Sequence, residues 1–232
     1  MKVGVTLPQF QEDAETAIVA ALRAEELGLD GVFVFDHLWP IGQPDKPVLP
    51  ALPLLGALAA ETERVRLATL VARVGLVPDA VLVHELASLA RMAPGRFIAG
   101  LGTGDRMSAA ENLAFGVDYP PAPARREALR WCCRQLRALG IPTWVGIGAG
   151  ARETRAVAVE EGVAVNYWEA PVAAVASETE AEATWAGPLP GGVGALAESL
   201  KELAEAGATW TVCAWPSSLE VVAEAAAEVG AL

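Results

Sequence analysis

The chain has 232 residues, 53% of them apolar, and a formal net charge of -12 at pH 7. That length and apolar content supply a sizeable core and exclude a disordered chain, while the acidic balance excludes nucleic acid as a partner, since that needs a basic footprint. Cys132, Cys133 and Cys213 are too few and too closely placed for a disulfide framework or a metal-ligand set, so reduced thiols in the cytoplasm and no bound metal are expected.

The first strand is predicted over residues 2–7, and the N-terminus is too short in apolar character for a signal peptide. Residues 13–27 have helical periodicity closed by Gly28, and residues 31–36 form a short apolar strand of the doubly buried kind. A helix at 52–62, a strand at 65–71, a helix at 79–92 and a strand at 96–101 follow. The same unit then recurs with a glycine at each helix end: Gly140 before strand 143–147, Gly162 before 163–167 and Gly207 before 209–214. A brief helix at 172–180 precedes the weakest strand, 183–187. Ser217 and Glu220 form a capping box for the last helix. Apolar runs are broken by charge well short of membrane-spanning length, so no membrane segment is expected.

Eight strand-helix units in 232 residues approach the roughly 250 of a (β/α)8 TIM barrel, with a doubly wound open sheet as the rival. Short linkers and uniform composition predict one domain over 1–232. The longest irregular stretches, 39–50 and 105–124, both follow strand ends, which is where barrels and open sheets place their chemistry.

Those ends carry the candidate site. His37, one of two histidines, stands where an apolar strand breaks into charge, and an imidazole there suits proton transfer. Asp36 would orient it; the rival role is a histidine pinned to backbone at a barrel corner. His84 falls inside the helix at 79–92 and is expected on the surface or in packing. Ala72 and Arg73 end the third strand, Gly102, Thr103, Gly104 and Asp105 the fourth, and Gly148, Ala149 and Gly150 the fifth. The two glycine-rich turns suit a phosphate, because exposed amides at a helix start cradle an anion, and Arg152 would help if it turned back to the loop. Trp39 is the expected stacking wall for a flat ring. Met92-Ala93-Pro94-Gly95-Arg96 is expected to be a helix-to-strand turn on the opposite, stabilising face.

The run 85–104, from helix through Met92-Ala93-Pro94-Gly95-Arg96 to Gly100-Leu101-Gly102-Thr103-Gly104, resembles the helix-turn-strand signature of the bacterial-luciferase-like flavin and deazaflavin oxidoreductases. Residues 2–10, Asp36-His37-Leu38-Trp39 and Pro142-Thr143-Trp144-Val145-Gly146 are similar to its other blocks. The resemblance implies a TIM barrel. Asp36-His37 and the acid after Gly102-Thr103-Gly104 look like the coenzyme F420 branch, which implies His37 and Asp105 as catalytic residues beside the ring. It also implies a phosphate loop at Gly148-Ala149-Gly150-Ala151 and a non-proline cis peptide near Ala72-Arg73. Homodimerisation and a reductase that supplies the cofactor are further implications of family likeness.

Members commonly exceed 300 residues and carry an insertion that shapes the substrate pocket, and this compact chain lacks it. The tryptophan spacing after the histidine also departs from the sugar-phosphate dehydrogenases, and no multi-arginine clamp is apparent. Three readings follow: an F420-dependent oxidoreductase moving a hydride to or from a small organic substrate, an FMN-dependent monooxygenase, and a flavin-binding barrel without turnover.

Overall fold

Strands that are apolar on both faces need cover on both, and a closed parallel sheet ringed by helices supplies it. The computed structural model describes residues 1–148 and 150–231. In chain order its elements are β1 (Lys2–Thr6), α1 (Glu15–Glu26), β2 (Gly31–Val34), α2 (Ala51–Glu61), β3 (Arg66–Thr69), β4 (Ala72–Arg73), α3 (Asp79–Met92), β5 (Phe97–Gly102) and α4 (Arg106–Ala114). There follow α5 (Ala122–Ala138), β6 (Thr143–Ile147), α6 (Arg152–Glu161), β7 (Ala164–Trp168), α7 (Val172–Ala176), β8 (Ala183–Gly187), α8 (Val193–Glu205), β9 (Trp210–Cys213) and α9 (Leu219–Glu228).

All strand pairings among the described residues are parallel, and β1 pairs with both β2 and β9. The ring closes where β3 meets β5 through Leu67 opposite Phe97 and Ala68 opposite Ile98. β4 continues β3 beyond a cis peptide at Leu70–Val71 and pairs with the end of β5, Ala72 opposite Leu101 and Arg73 opposite Gly102. Nine segments therefore make an eight-membered (β/α)8 barrel, and the open-sheet rival falls.

Alternation along each strand sorts the core into two compartments. On β2, Val32 and Val34 belong to the large cluster between sheet and helices, with Leu55, Leu58 and Leu86 among its fully buried members. Phe33 belongs instead to a second cluster with Trp144 and Trp210. The three rings meet at centroid distances of 5.4 to 5.8 Å, a separation at which aromatic pairs attract beyond their buried area. Gly4 makes room for them, since a Cβ there would stand 2.6 Å from Phe33 Cε2.

At the helix-to-strand turn before β5, Arg96 donates to the Ala59, Thr62 and Val65 carbonyls and to Thr62 Oγ1 at 3.0 to 3.3 Å. One guanidinium thus ties α2 to β3 and β5, the stabilising task expected of that turn. His84 lies exposed on α3, as expected.

Two expectations need correction. The stretch 105–124 is not irregular: α4 and the start of α5 occupy it. The last helix is capped by Ser218, whose Oγ accepts from Val221 N at 3.5 Å, while Ser217 Oγ donates to the Ala214 carbonyl at 2.9 Å. No helix among the described residues is long and apolar enough to cross a membrane.

Candidate active site

The chain leaving β2 is fixed before it reaches the charged residues. Gln9 donates from Nε2 to the carbonyls of Phe35 and Leu49, at 2.7 and 3.1 Å, and accepts from Phe35 N. One buried amide thereby joins the ends of β1 and β2 to the loop at 39–50. Asp36 then accepts from the Arg73 backbone N at 2.9 Å through Oδ2, and its carbonyl accepts from Arg73 Nε at 3.1 Å. β2 and β4, which share no strand pairing, are stitched together by these two bonds.

Glu111, on α4, is the hub of the cluster. Its Oε2 accepts from Arg73 Nη1 at 2.7 Å and lies 3.2 Å from His37 Nδ1. Its Oε1 accepts from the backbone N–H groups of Leu38 and Trp39. A carboxylate is acceptor-only, so Nδ1 of His37 must carry the proton in this contact. Nε2 then remains for chemistry, because His37 lines the cavity described below. Arg73 also donates from Nη1 to Asn112 Oδ1 at 3.3 Å, and its Nη2 has no partner among the described residues. A buried orphan donor is costly, and an acceptor oxygen from a ligand or a water would complete it.

α4 stands where it does because its first turn is closed on itself. Asp105 Oδ1 accepts from Met107 N and Ser108 N at 2.9 and 3.0 Å, while Ser108 Oγ accepts from Asp105 N at 3.1 Å, a capping box. Tyr119 OH donates to the Asp105 carbonyl. Glu111 sits two turns of helix from that cap and is 2% exposed.

The carboxylates respond differently to this setting. Burial acts to raise Glu111, but the His37 hydrogen bond, the Arg73 charge and Leu38 N–H outweigh it, so Glu111 is held below the usual carboxylate range. Asp105 is also lowered: desolvation is outweighed by the Ser108 and Met107 bonds and by the charge of His37. Asp36 is raised by burial, against the pull of Arg73 N–H and the Arg73 charge.

A cavity of about 660 Å³ opens beside the cluster, within the range of small-molecule and cofactor sites. Phe10, Phe35 and Trp168 line it, with Phe10 and Phe35 stacked at 6.1 Å and Phe35 edge-on to Trp168 at 5.6 Å. Leu70 and Val71 line it too, and the glycines beneath them exist for close approach. A Cβ at Gly102 would lie 2.4 Å from Val71 Cγ2, and one at Gly146 2.7 Å from Val71 Cγ1. At Gly148 a Cβ would meet nothing within 4 Å, and α6 has no side-chain cap at its N-cap residue, Ala151.

Of the residues expected from the sequence, His37, Arg73, Gly102, Thr103, Gly104, Asp105, Gly148 and Ala151 line this cavity. Asp36 does not line it and acts through Arg73. Ala72 is buried in β4 outside the lining, Gly150 holds a positive φ of 76° in the α6 turn, and Arg152 is exposed at the helix start. Ala149 lies outside the described residues. Asp105 shares the cavity with His37 without a hydrogen bond to it, and its Oδ1 is the atom the cap uses. Trp39 is not part of the wall: Glu111 holds its N–H, and its ring packs against Phe115 at 5.8 Å. The aromatic wall is Trp168, with Phe10 and Phe35.

The fold is a (β/α)8 barrel that carries a His-Glu-Arg cluster beside a cavity at its strand ends. Residues 1–208 match the model of the family described as luciferase-like monooxygenase, and the chain belongs to that family. Among curated relatives, F420-dependent glucose-6-phosphate dehydrogenases of Microbacterium testaceum and Kineococcus radiotolerans are 40% and 39% identical over 112 and 120 residues. Those alignments take in 46% and 51% of this chain and 31% and 35% of the relatives, so the chain matches only about a third of their length. Among solved structures, an F420-dependent secondary alcohol dehydrogenase in complex with an F420-acetone adduct superposes with a TM-score of 0.80 at 14% identity, over 98% of this chain and 97% of that one. The FMN complex of a type II Baeyer-Villiger monooxygenase from Pseudomonas putida superposes at 0.62 with 15% identity, over 89% and 72%. These likenesses show the fold.

Glu111 and Trp168 are the residues that sequence reading missed. The signal for the first was present: Asp105-Arg106-Met107-Ser108 is a cap sequence, and it starts a helix that carries Glu111 toward His37.

Proposed function

We propose that this chain is an F420-dependent oxidoreductase that moves a hydride to or from a small organic substrate at the C-terminal rim of the barrel. The observation that carries the reading is the His37-Glu111-Arg73 cluster at the edge of a cavity whose floor is cleared by glycines around Val71. The sequence relatives named above, all F420-dependent by name, support the choice of cofactor.

The residues present fit such a group. Val71, with Gly102 and Gly146 beneath it, would hold its flat ring, and Gly148 and Ala151 would hold its phosphate. When bound, the deazaflavin supplies the hydride-accepting or hydride-donating carbon. The protein does the rest. Glu111 fixes the His37 tautomer, His37 Nε2 gives or takes the substrate proton, and Asp105 adds negative charge at the rim. Arg73 holds the Glu111 carboxylate in place.

A second reading, an FMN-dependent monooxygenase, is favoured by the family description itself. With the first reading we propose a cytoplasmic enzyme, supported by three buried free thiols. A homodimer and a partner reductase are proposed on family likeness alone.

Titrating the purified chain with F420 and, separately, with FMN, and following quenching of cofactor fluorescence, tests the choice. Tighter binding of F420 is expected. Preference for FMN moves the protein to the second reading, and binding of neither returns it to a barrel without this chemistry.

A further inference from the structure

The cavity's chemistry narrows the substrate, on the basis of the oxidoreductase reading above. The cavity lining is largely apolar, with Phe10, Phe35, Ile41, Leu70, Ile147 and Trp168, and its uncharged polar side chains are Gln43, Thr103, Ser108, Thr154 and Asn166. The charged side chains among the lining residues are His37, Arg73 and Asp105. Arg73 is the one guanidinium, and its charge is already spent. Glu111 Oε2 stands 2.7 Å from Nη1, the two side chains being 6% and 3% exposed, and the Asp36 carbonyl takes Nε. With Asp105 at the rim, the lining together with Glu111 carries no surplus positive charge. The α6 start beside Gly148 and Ala151 is assigned above to the cofactor's phosphate.

A phosphorylated sugar asks for the opposite. Its phosphate needs one or more uncommitted cations or a fork of donors, and each buried hydroxyl needs a partner. Placed here, it would set an anion beside Asp105 and Glu111 with no uncommitted cation to meet it.

We infer that the substrate of this site is uncharged and mostly apolar, with an oxygen function held at His37, and that it is not a sugar phosphate. This departs from the curated relatives named for glucose 6-phosphate, which this chain matches over about a third of their length.

The test is a calorimetric comparison of acetophenone with glucose 6-phosphate, each titrated into the chain alone and into the chain saturated with F420. The F420 titration is done first and read separately, so its failure breaks the proposed function and leaves the ligand comparison on the bare chain intact. Acetophenone is expected to bind at least about tenfold more tightly than the sugar phosphate, with an affinity that added salt leaves unchanged. Trp168→Ala is expected to weaken the ketone about tenfold, and Trp168→Phe, which keeps a ring and guards against a folding defect, to restore it. Equal or tighter binding of glucose 6-phosphate overturns the inference. So does binding of neither ligand, or an acetophenone affinity indifferent to Trp168→Ala.

Discussion

Two arginine-glutamate clusters are built into this barrel, and they are finished differently. In one, Arg155 on α6 grips Glu178 with both teeth, Nε to Oε2 and Nη2 to Oε1, each at 2.6 Å. Tyr167 OH donates to the same carboxylate at 2.7 Å, and the backbone N–H groups of Glu180 and Ala181 at 2.9 and 3.2 Å. The Glu178 side chain is fully buried, and Arg155 drags its carboxyl down to about 2. In the other cluster Glu111 is shared among Arg73, His37 and two backbone amides, the arginine contact has one tooth, and Arg73 Nη2 is left over. The first cluster is closed and ties α6 to the segment after α7. The second is open, beside a cavity. The closed cluster has the make-up of a structural ion pair, and the open one leaves a buried donor, Arg73 Nη2, without a partner among the described residues.

The comparison predicts that the two glutamates fail differently. Glu178→Ala leaves Tyr167 OH and Arg155 Nε without their acceptor, Arg155 keeping only Glu180 Oε2 at 2.8 Å, and breaking the pair from one side costs up to about 3 kcal/mol, the partly exposed arginine reducing the loss. Thermal unfolding should show that loss, with F420 affinity retained below the melting temperature. Glu111→Gln keeps the shape but removes the charge and the fixed acceptor for His37. Turnover should fall by about 100-fold or more, as for loss of a general acid-base group, with a smaller drop in melting temperature than Glu178→Ala gives. If Glu178→Ala abolishes turnover in the folded protein, or Glu111→Gln changes only stability, the distinction between closed and open clusters is broken.

Acid titration sharpens it further. Glu178 has a folded value of about 2 against an ordinary 4.5, so its stabilisation is fully present above about 4.5 and disappears as pH falls toward 2. Glu111 is lowered and has the same sign. Asp36 is raised by burial and has the opposite sign, its contribution weakening the fold as pH rises through its titration. The open cluster therefore partly cancels itself, and the closed one does not. Unfolding free energy measured between pH 2 and 5 should lose more of its slope in Glu178→Gln than in Glu111→Gln. Equal slopes in both variants would contradict this.

The barrel was legible in the sequence because its evidence is local. Each strand is a short apolar run, and Gly28, Gly140, Gly162 and Gly207 stop the helices that precede four of them, all with positive φ. His37, Arg73 and the glycines of β5 and β6 were legible because they sit at strand ends, whose place on the rim the fold dictates. What stayed hidden is non-local. Glu111 meets His37 across 74 positions, and no spacing rule reaches that far. Asp105 reads as an acid of the site, although Asp105-Arg106-Met107-Ser108 also carries a cap signal, because a carboxylate before a helix and a carboxylate in a site read alike until its partners are seen. Among seven tryptophans, the choice between Trp39 and Trp168 rested on nearness to His37 in the chain. Barrel register places Trp168 of β7 in the cavity instead.

That last choice gives the smallest expected effect and a direct check on the wall. Trp39 touches Phe115 rather than the cavity lining, so Trp39→Ala should cost about 1 kcal/mol of stability, the size of one aromatic pair. Its effect on F420 affinity should stay within about threefold, well under the tenfold that 1.4 kcal/mol represents. The backbone N–H of residue 39 survives the substitution, so Glu111 keeps its full set of donors and His37 keeps its tautomer. Turnover should therefore follow affinity and change little. A tenfold loss of F420 affinity in Trp39→Ala would mean that the ring reaches the cofactor in solution, and the wall would then have to include the loop at 39–50 as well as Trp168.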